Sequence, residues 1–171
     1  MILYNNVRVD LITFFSGIFM AIGSLVVMVS NGVMVGVFQY FFIERDLFWE
    51  SFLTIWTHGS LEIPTIILSG GAGLTLGKGL LFPGTHSRLR AFRLSGMAGL
   101  KLLAGVLPVT CLAAFIEGFL TRHTGLPDTV RLLFILANFA FIVFYFIVFP
   151  RRVAQRTAQA EASSRKELIY A

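Results

Sequence analysis

Val130–Phe149 reads VRLLFILANFAFIVFYFIVF, and Pro150-Arg151-Arg152 follows it directly. About twenty largely apolar residues are enough to cross the hydrocarbon core of a bilayer as a helix. This run meets that length, with Asn138 near its middle. Basic residues at one end of such a run mark the cytoplasmic side. Arg151, Arg152 and Arg156 therefore place the C-terminal tail in the cytoplasm and make the chain a membrane protein.

Working outward, Thr121–Asp128 is a short polar loop before this run, and Met97–Leu120 is the next apolar stretch. It holds Lys101 near its start, Pro108 near its middle and Glu117 near its end, and Pro108 predicts a kink. Lys101 is placed to snorkel to the cytoplasmic interface. The polar stretch Thr85–Ser95 carries a second basic cluster, Arg88, Arg90 and Arg93. Pro83-Gly84 ends the run before it, Leu61–Phe82. His58-Gly59-Ser60 reads as a break, with Ser60 capping the next helix. Glu62 then falls in the first turn, where the helix dipole favours a carboxylate, and Pro64 is tolerated that early.

Leu11–Val29 is apolar and uncharged, and Ser30-Asn31-Gly32 interrupts it with turn chemistry. Val33–Ile43 is too short to span alone and meets Glu44-Arg45-Asp46, followed by an amphipathic stretch over Leu47–Trp56. The segment 33–56 is either a re-entrant hairpin or one imperfect span. The fold class is thus an all-α polytopic transmembrane helical bundle, with spans at about 11–29, 61–82, 97–120 and 130–149 plus the segment 33–56. These form one transmembrane helical domain over 1–150, with a basic cytoplasmic tail over 151–171. The basic loop at 85–95 and the tail have two spans between them, so both face the cytoplasm and the regions near 58 and 121–128 face outward. The N-terminus is inside if 33–56 is re-entrant and outside if it spans.

Composition agrees. Of 171 residues 56% are hydrophobic and only 13% charged, about half the charged fraction of a soluble domain. Membrane lipid is therefore the solvent for much of the surface, and the 18 Phe suit it. The net charge of +5 is concentrated in the two basic clusters and reads as orientation signal; no basic face is interleaved with stacking aromatics, which excludes nucleic acid. The single cysteine, Cys111, forms no intrachain disulfide. The first ten residues carry Arg8 and Asp10 with no net positive charge, unlike a cleavable signal peptide.

The glycine-rich stretch over 70–79 fails as a phosphate loop, since Ala72 and Gly79 stand where that motif needs Gly and Ser or Thr. Ser69, Gly73 and Gly77 instead recur every four residues, a small-residue stripe that lets another helix approach closely in lipid. Gly32–Gly36 and Ala114–Gly118 repeat the spacing. The stripe serves self-association into a homo-oligomer or an intramolecular contact equally well.

The ionisable residues that matter are His58, Glu62, Glu117 and Arg122, with His123 beside the last. Such groups at membrane depth are costly and turned inward. Three readings stand: a structural cluster of paired charges, a substrate or ion pathway, and a metal site of one imidazole and two carboxylates. No Ser/His/Asp or Cys/His arrangement stands out, which argues against an enzyme; no catalytic residue, metal ligand or cofactor is assigned.

Four blocks resemble a known family: Tyr4-Asn5-Asn6-Val7-Arg8-Val9 with Ser30–Gly36, His58-Gly59-Ser60-Leu61-Glu62-Ile63-Pro64, Gly70–Gly77 with Pro83-Gly84, and Ala113–Phe119. In this order they resemble the stage II sporulation protein M family of integral membrane proteins over about residues 4–120. The resemblance implies a multi-spanning protein of the cytoplasmic (inner) membrane. It implies a non-enzymatic scaffold or recruiter in a cell-envelope or peptidoglycan-remodelling complex, with cell-wall enzymes as partners. It carries His58, Glu62 and Glu117 as shared positions. Members usually have a further hydrophobic segment before the Asn-Asn block, so this chain resembles a truncated or differently started version. The alternatives are a transporter or channel component using the outer His/Glu cluster, and an intramembrane metalloenzyme.

Overall fold

The computed structural model describes residues 1–120 and 126–170, without the side chains of His58, Leu120 and residues 162–170. The described residues are helical and contain no strand. The helices are α1 (Ile2–Phe15), α2 (Ile22–Ile43), α3 (Phe48–Leu81), α4 (Arg88–Leu120), α5 (Asp128–Val143) and α6 (Phe149–Tyr170). A π-helical turn, Phe144–Val148, joins the last two. Three stretches are long and apolar enough to cross a membrane: Ile22–Ile43, Arg88–Phe119 and Asp128–Glu161.

The helix boundaries differ from the expected ones at three places, each for a physical reason. The run Leu11–Val29 does not form one helix. A one-turn 3-10 helix at Ser16–Ile18 and left-handed backbone at Met20 (φ 51°) and Ala21 (φ 66°) reverse the chain between α1 and α2. Left-handed backbone is unfavourable for residues with a Cβ and persists where the surroundings fix it. Here the Ser24 hydroxyl donates to the Thr13 carbonyl at 2.6 Å and clamps the two helices together.

Conversely, Ser30-Asn31-Gly32 leaves α2 unbroken. Asn31 turns its amide back onto the Val27 carbonyl at 2.8 Å, and no water at membrane depth competes for the helix's own bonds. The segment 33–56 is accordingly divided between two helices, with a tight turn at Glu44–Leu47 in which Asp46 takes φ 56°. The Arg45 guanidinium covers the Phe41 ring at 3.5 Å from its centre and donates to the Phe41 carbonyl at 2.8 Å.

His58-Gly59-Ser60 is likewise no break. α3 runs through it, about 51 Å by helical rise, so Ser60 is not a cap and Pro64 lies in the helix interior. Thr57 donates to the Leu53 carbonyl at 2.5 Å and Thr65 to the Glu62 carbonyl at 2.8 Å, so both hydroxyls are satisfied by the helix itself. At the C-terminal end, Pro150 removes an amide and crowds the carbonyl four residues back. The wider turn at Phe144–Val148 sits just there, and the helix continues into the tail.

α3 is the hub. It touches α1, α2, α4 and α5, and α4 most extensively. One apolar core joins Phe14, Ala72, Leu76 and Leu103; another joins Leu61, Val109 and Ala113, backed by Phe141 and Tyr145. Close approach requires glycine at Gly73, where a Cβ would collide with the Ser24 hydroxyl and the Thr13 and Phe14 carbonyls. By contrast, a Cβ at Gly32 or Gly36 would meet nothing within 4 Å, so that pair faces outward. Phe48, Phe52, Trp56 and Phe139 follow one another as tilted ring pairs at centroid distances of 5.6, 5.9 and 5.7 Å. They form an aromatic seam along α3 that reaches α5.

Candidate polar site

α1 lies parallel to α3, and the two present matching stripes. Asn6, Asp10 and Thr13 on α1, with Gly17 in the 3-10 turn that follows, recur at helical spacing opposite Glu62, Ser69, Gly73 and Gly77 on α3. The Asn6 amide donates to Glu62 Oε1. Four residues on, Asp10 is fully buried. Its Oδ1 accepts from the Ser69 hydroxyl at 2.9 Å and its Oδ2 from the Thr110 hydroxyl at 2.5 Å. Asp10 thus ties three helices with one side chain. Further along, a Cβ at Gly17 would collide with the Gly73 backbone, and one at Gly77 with Gly17 and Ala21.

On the other side of Glu62 stands Glu117 of α4, with the two carboxyl groups close enough to interact directly. Around the far face of α3, the Asn138 amide donates to the Ser60 hydroxyl at 2.8 Å, both residues being buried. Each polar layer therefore joins two or three helices.

Of the residues singled out from the sequence, Glu62 and Glu117 meet directly. The side chain of His58, and Arg122 with His123, lie outside the described residues. Ser69, Gly73 and Gly77 all face α1 and the start of α2 within the same chain. Glu62 is not in a first turn, because α3 has already run from Phe48; it lies mid-helix. Sequence reasoning misses Asp10, which reads as part of a neutral N-terminal flank. The signal was present in the i, i+4, i+7 spacing of Asn6, Asp10 and Thr13, one polar face on a short apolar helix. Asn138, seen only as a polar exception, is the link to α5. Among the described residues no three of His, Cys, Asp and Glu gather as a metal-ligand set.

A helical bundle whose polar side chains point inward and whose apolar ones point outward defines an integral membrane protein. The family model for Stage II sporulation protein M matches residues 1–122, and the chain belongs to this family. No curated protein and no solved structure matches it.

Proposed function

We propose that the protein is a non-enzymatic scaffold or recruiter in a cell-envelope or peptidoglycan-remodelling complex. Membership of the Stage II sporulation protein M family carries this reading. The bonding of the interior polar groups to one another supports it, since Asp10, Ser69 and Thr110 serve to hold helices.

In this reading four segments cross the cytoplasmic membrane: α2, α3, α4 and α5 with the start of α6. The exposed Arg88, Arg90 and Arg93 at the start of α4 and Arg151, Arg152 and Arg156 in α6 lie on the cytoplasmic side. The turn at Glu44–Leu47 then faces outward. α1 packs against α3 and α4. α3 need not be as apolar as its neighbours, because they cover it.

The test is purification from native membranes in mild detergent, followed by mass spectrometry of what accompanies the protein. Envelope or cell-wall enzymes in stoichiometric amounts are expected. A monodisperse protein with none of them would defeat the scaffold reading.

A further inference from the structure

Arg8 is the charged side chain of α1 that the interior does not bond. It projects from the face opposite the Asn6–Asp10 stripe and is exposed, with no hydrogen bond or ion pair to any described residue. Its depth follows from its neighbours. Asn6 bonds Glu62 and Asp10 bonds Ser69, so Arg8 sits level with residues 62–69 of α3. α2 runs antiparallel along α3, with Met28 against Gly70 and Gln39 bonded to Ser51 at 2.8 Å. That level therefore faces the middle of α2, roughly 16 Å from either end by helical rise, farther than an arginine side chain reaches. A cation left there in hydrocarbon is strongly disfavoured and calls for a partner.

Beside Arg8 lies an apolar groove of about 910 Å³, lined by Tyr4, Val7, Leu11 and Phe15 of α1 and Cys111 of α4. Ala104, Pro108 and Cys111 are exposed along one face of α4. Small side chains of this kind let a further helix come close.

We propose that this groove docks a membrane-spanning helix of another protein, one that carries a single Asp or Glu at mid-span to pair with Arg8. Charge complementarity selects this occupant. A phospholipid headgroup carries its anion at the membrane surface, away from Arg8. A second copy related by a two-fold axis would bring Arg8 against Arg8. The inference rests on the recruiter reading for the partner being a protein, and it names the chemistry by which recruitment occurs.

The experiment uses the full chain in vesicles of neutral phospholipid. The probe is a synthetic 22-residue Leu/Ala helix with Glu, Gln or Leu at its centre and a photo-reactive group beside that position. Binding is read by energy transfer to an acceptor on the C-terminal tail, and cross-links are mapped by mass spectrometry. The Glu helix should bind about tenfold more tightly than the Leu helix and cross-link to α1 and α4. Arg8→Leu should abolish that preference, and Arg8→Glu should transfer it to a helix with a central Lys. Each variant's size-exclusion profile serves as the folding control. Equal binding of the Glu and Leu helices to the wild type overturns the proposal, as does a preference that survives Arg8→Leu. So does an Arg8-dependent dimer of the protein, or a Glu preference that appears only when anionic lipid is added. If the helices fail while envelope enzymes still co-purify with the wild type, only the docking inference falls.

Discussion

α1 and α2 follow each other in the chain and both read as apolar, yet they occupy opposite places. α1 buries Asp10, Thr13 and Phe14 against α3 and α4, whereas α2 buries Ser24 alone and leaves Val29, Val33, Val37 and Phe41 exposed. The more uniformly hydrophobic helix is the outer one. In water the opposite would hold, because burial of apolar area drives folding there. In lipid that drive between helices is absent, and close packing and interhelical hydrogen bonds decide which helix goes inside. Polar and small residues on one stripe therefore predict the interior better than hydrophobicity does.

The strongest way to break this comparison is to put the same side chain on each helix face. Gly73→Leu would drive a side chain into the Ser24 hydroxyl and the Thr13 carbonyl, and the backbone there has no room to yield. Overpacking of this kind costs about 1–3 kcal/mol and more where backbone is struck. The expected result is loss of the monodisperse species in detergent. Gly36→Leu adds the same atoms where nothing lies within 4 Å, and its elution and melting should match the wild type. Equal damage from both would show that inside and outside have been misassigned.

A smaller effect should come from Asp10. Asp10→Leu removes the acceptor for both Ser69 and Thr110 at a buried junction. Each stranded buried hydroxyl costs about 1–3 kcal/mol. Thr110 recovers part of that, since it also reaches the Val106 carbonyl at 3.4 Å. A net loss of about 3 kcal/mol is expected. Asp10→Asn keeps one acceptor and the shape, and should cost about 1 kcal/mol. Thermal unfolding in micelles should rank wild type, Asp10→Asn and Asp10→Leu in that order; a Leu variant as stable as the Asn variant would remove Asp10 as a structural tie.

The Glu62–Glu117 contact sharpens the picture further. Glu62→Gln keeps an acceptor for the Asn6 amide and turns an amide group toward Glu117. It should therefore stay within about 1 kcal/mol of the wild type, whereas Glu62→Leu should lose about 2 kcal/mol. If Glu62→Gln is as damaging as Glu62→Leu, a charge at this position matters beyond its hydrogen bonds.

How much of this was legible depends on which interactions are local. Run lengths and the Arg clusters identify a helical membrane protein, because apolar length and flanking charge are local properties. The Ser69/Gly73/Gly77 stripe marks an intimate contact but not its partner, since α1 and a second molecule fit the same spacing. Turn residues misled at Ser30-Asn31-Gly32 and at His58-Gly59-Ser60. Their preferences come from competition between side chain, backbone and water, and a lipid-surrounded helix has no water to compete. The true reversal opens on Ser16-Gly17, but the residues that take the left-handed backbone, Met20 and Ala21, are not turn formers. It is imposed from outside by Ser24 and by α3, which a linear reading does not contain. Asp10 was hidden for a related reason: an acid beside Arg8 reads as a neutral flank until its helical face is followed.

The mildest test concerns the α3–α5 joint, where the Asn138 amide meets the Ser60 hydroxyl. Interhelical hydrogen bonds in membranes average only about 0.6 kcal/mol, with a maximum near 1.7 kcal/mol, because the separated helices find other partners. Asn138→Ala and Ser60→Ala should each cost about 1 kcal/mol or less. If the bond is real, the double variant should cost little more than the larger single one, since either change removes the same interaction. Reversible denaturant unfolding of all four proteins closes this cycle. Strict additivity would mean that the two side chains do not interact. The hold of α3 on α5 would then rest on Leu61, Trp56 and the rings of Phe139 and Phe141, which make the rest of that contact.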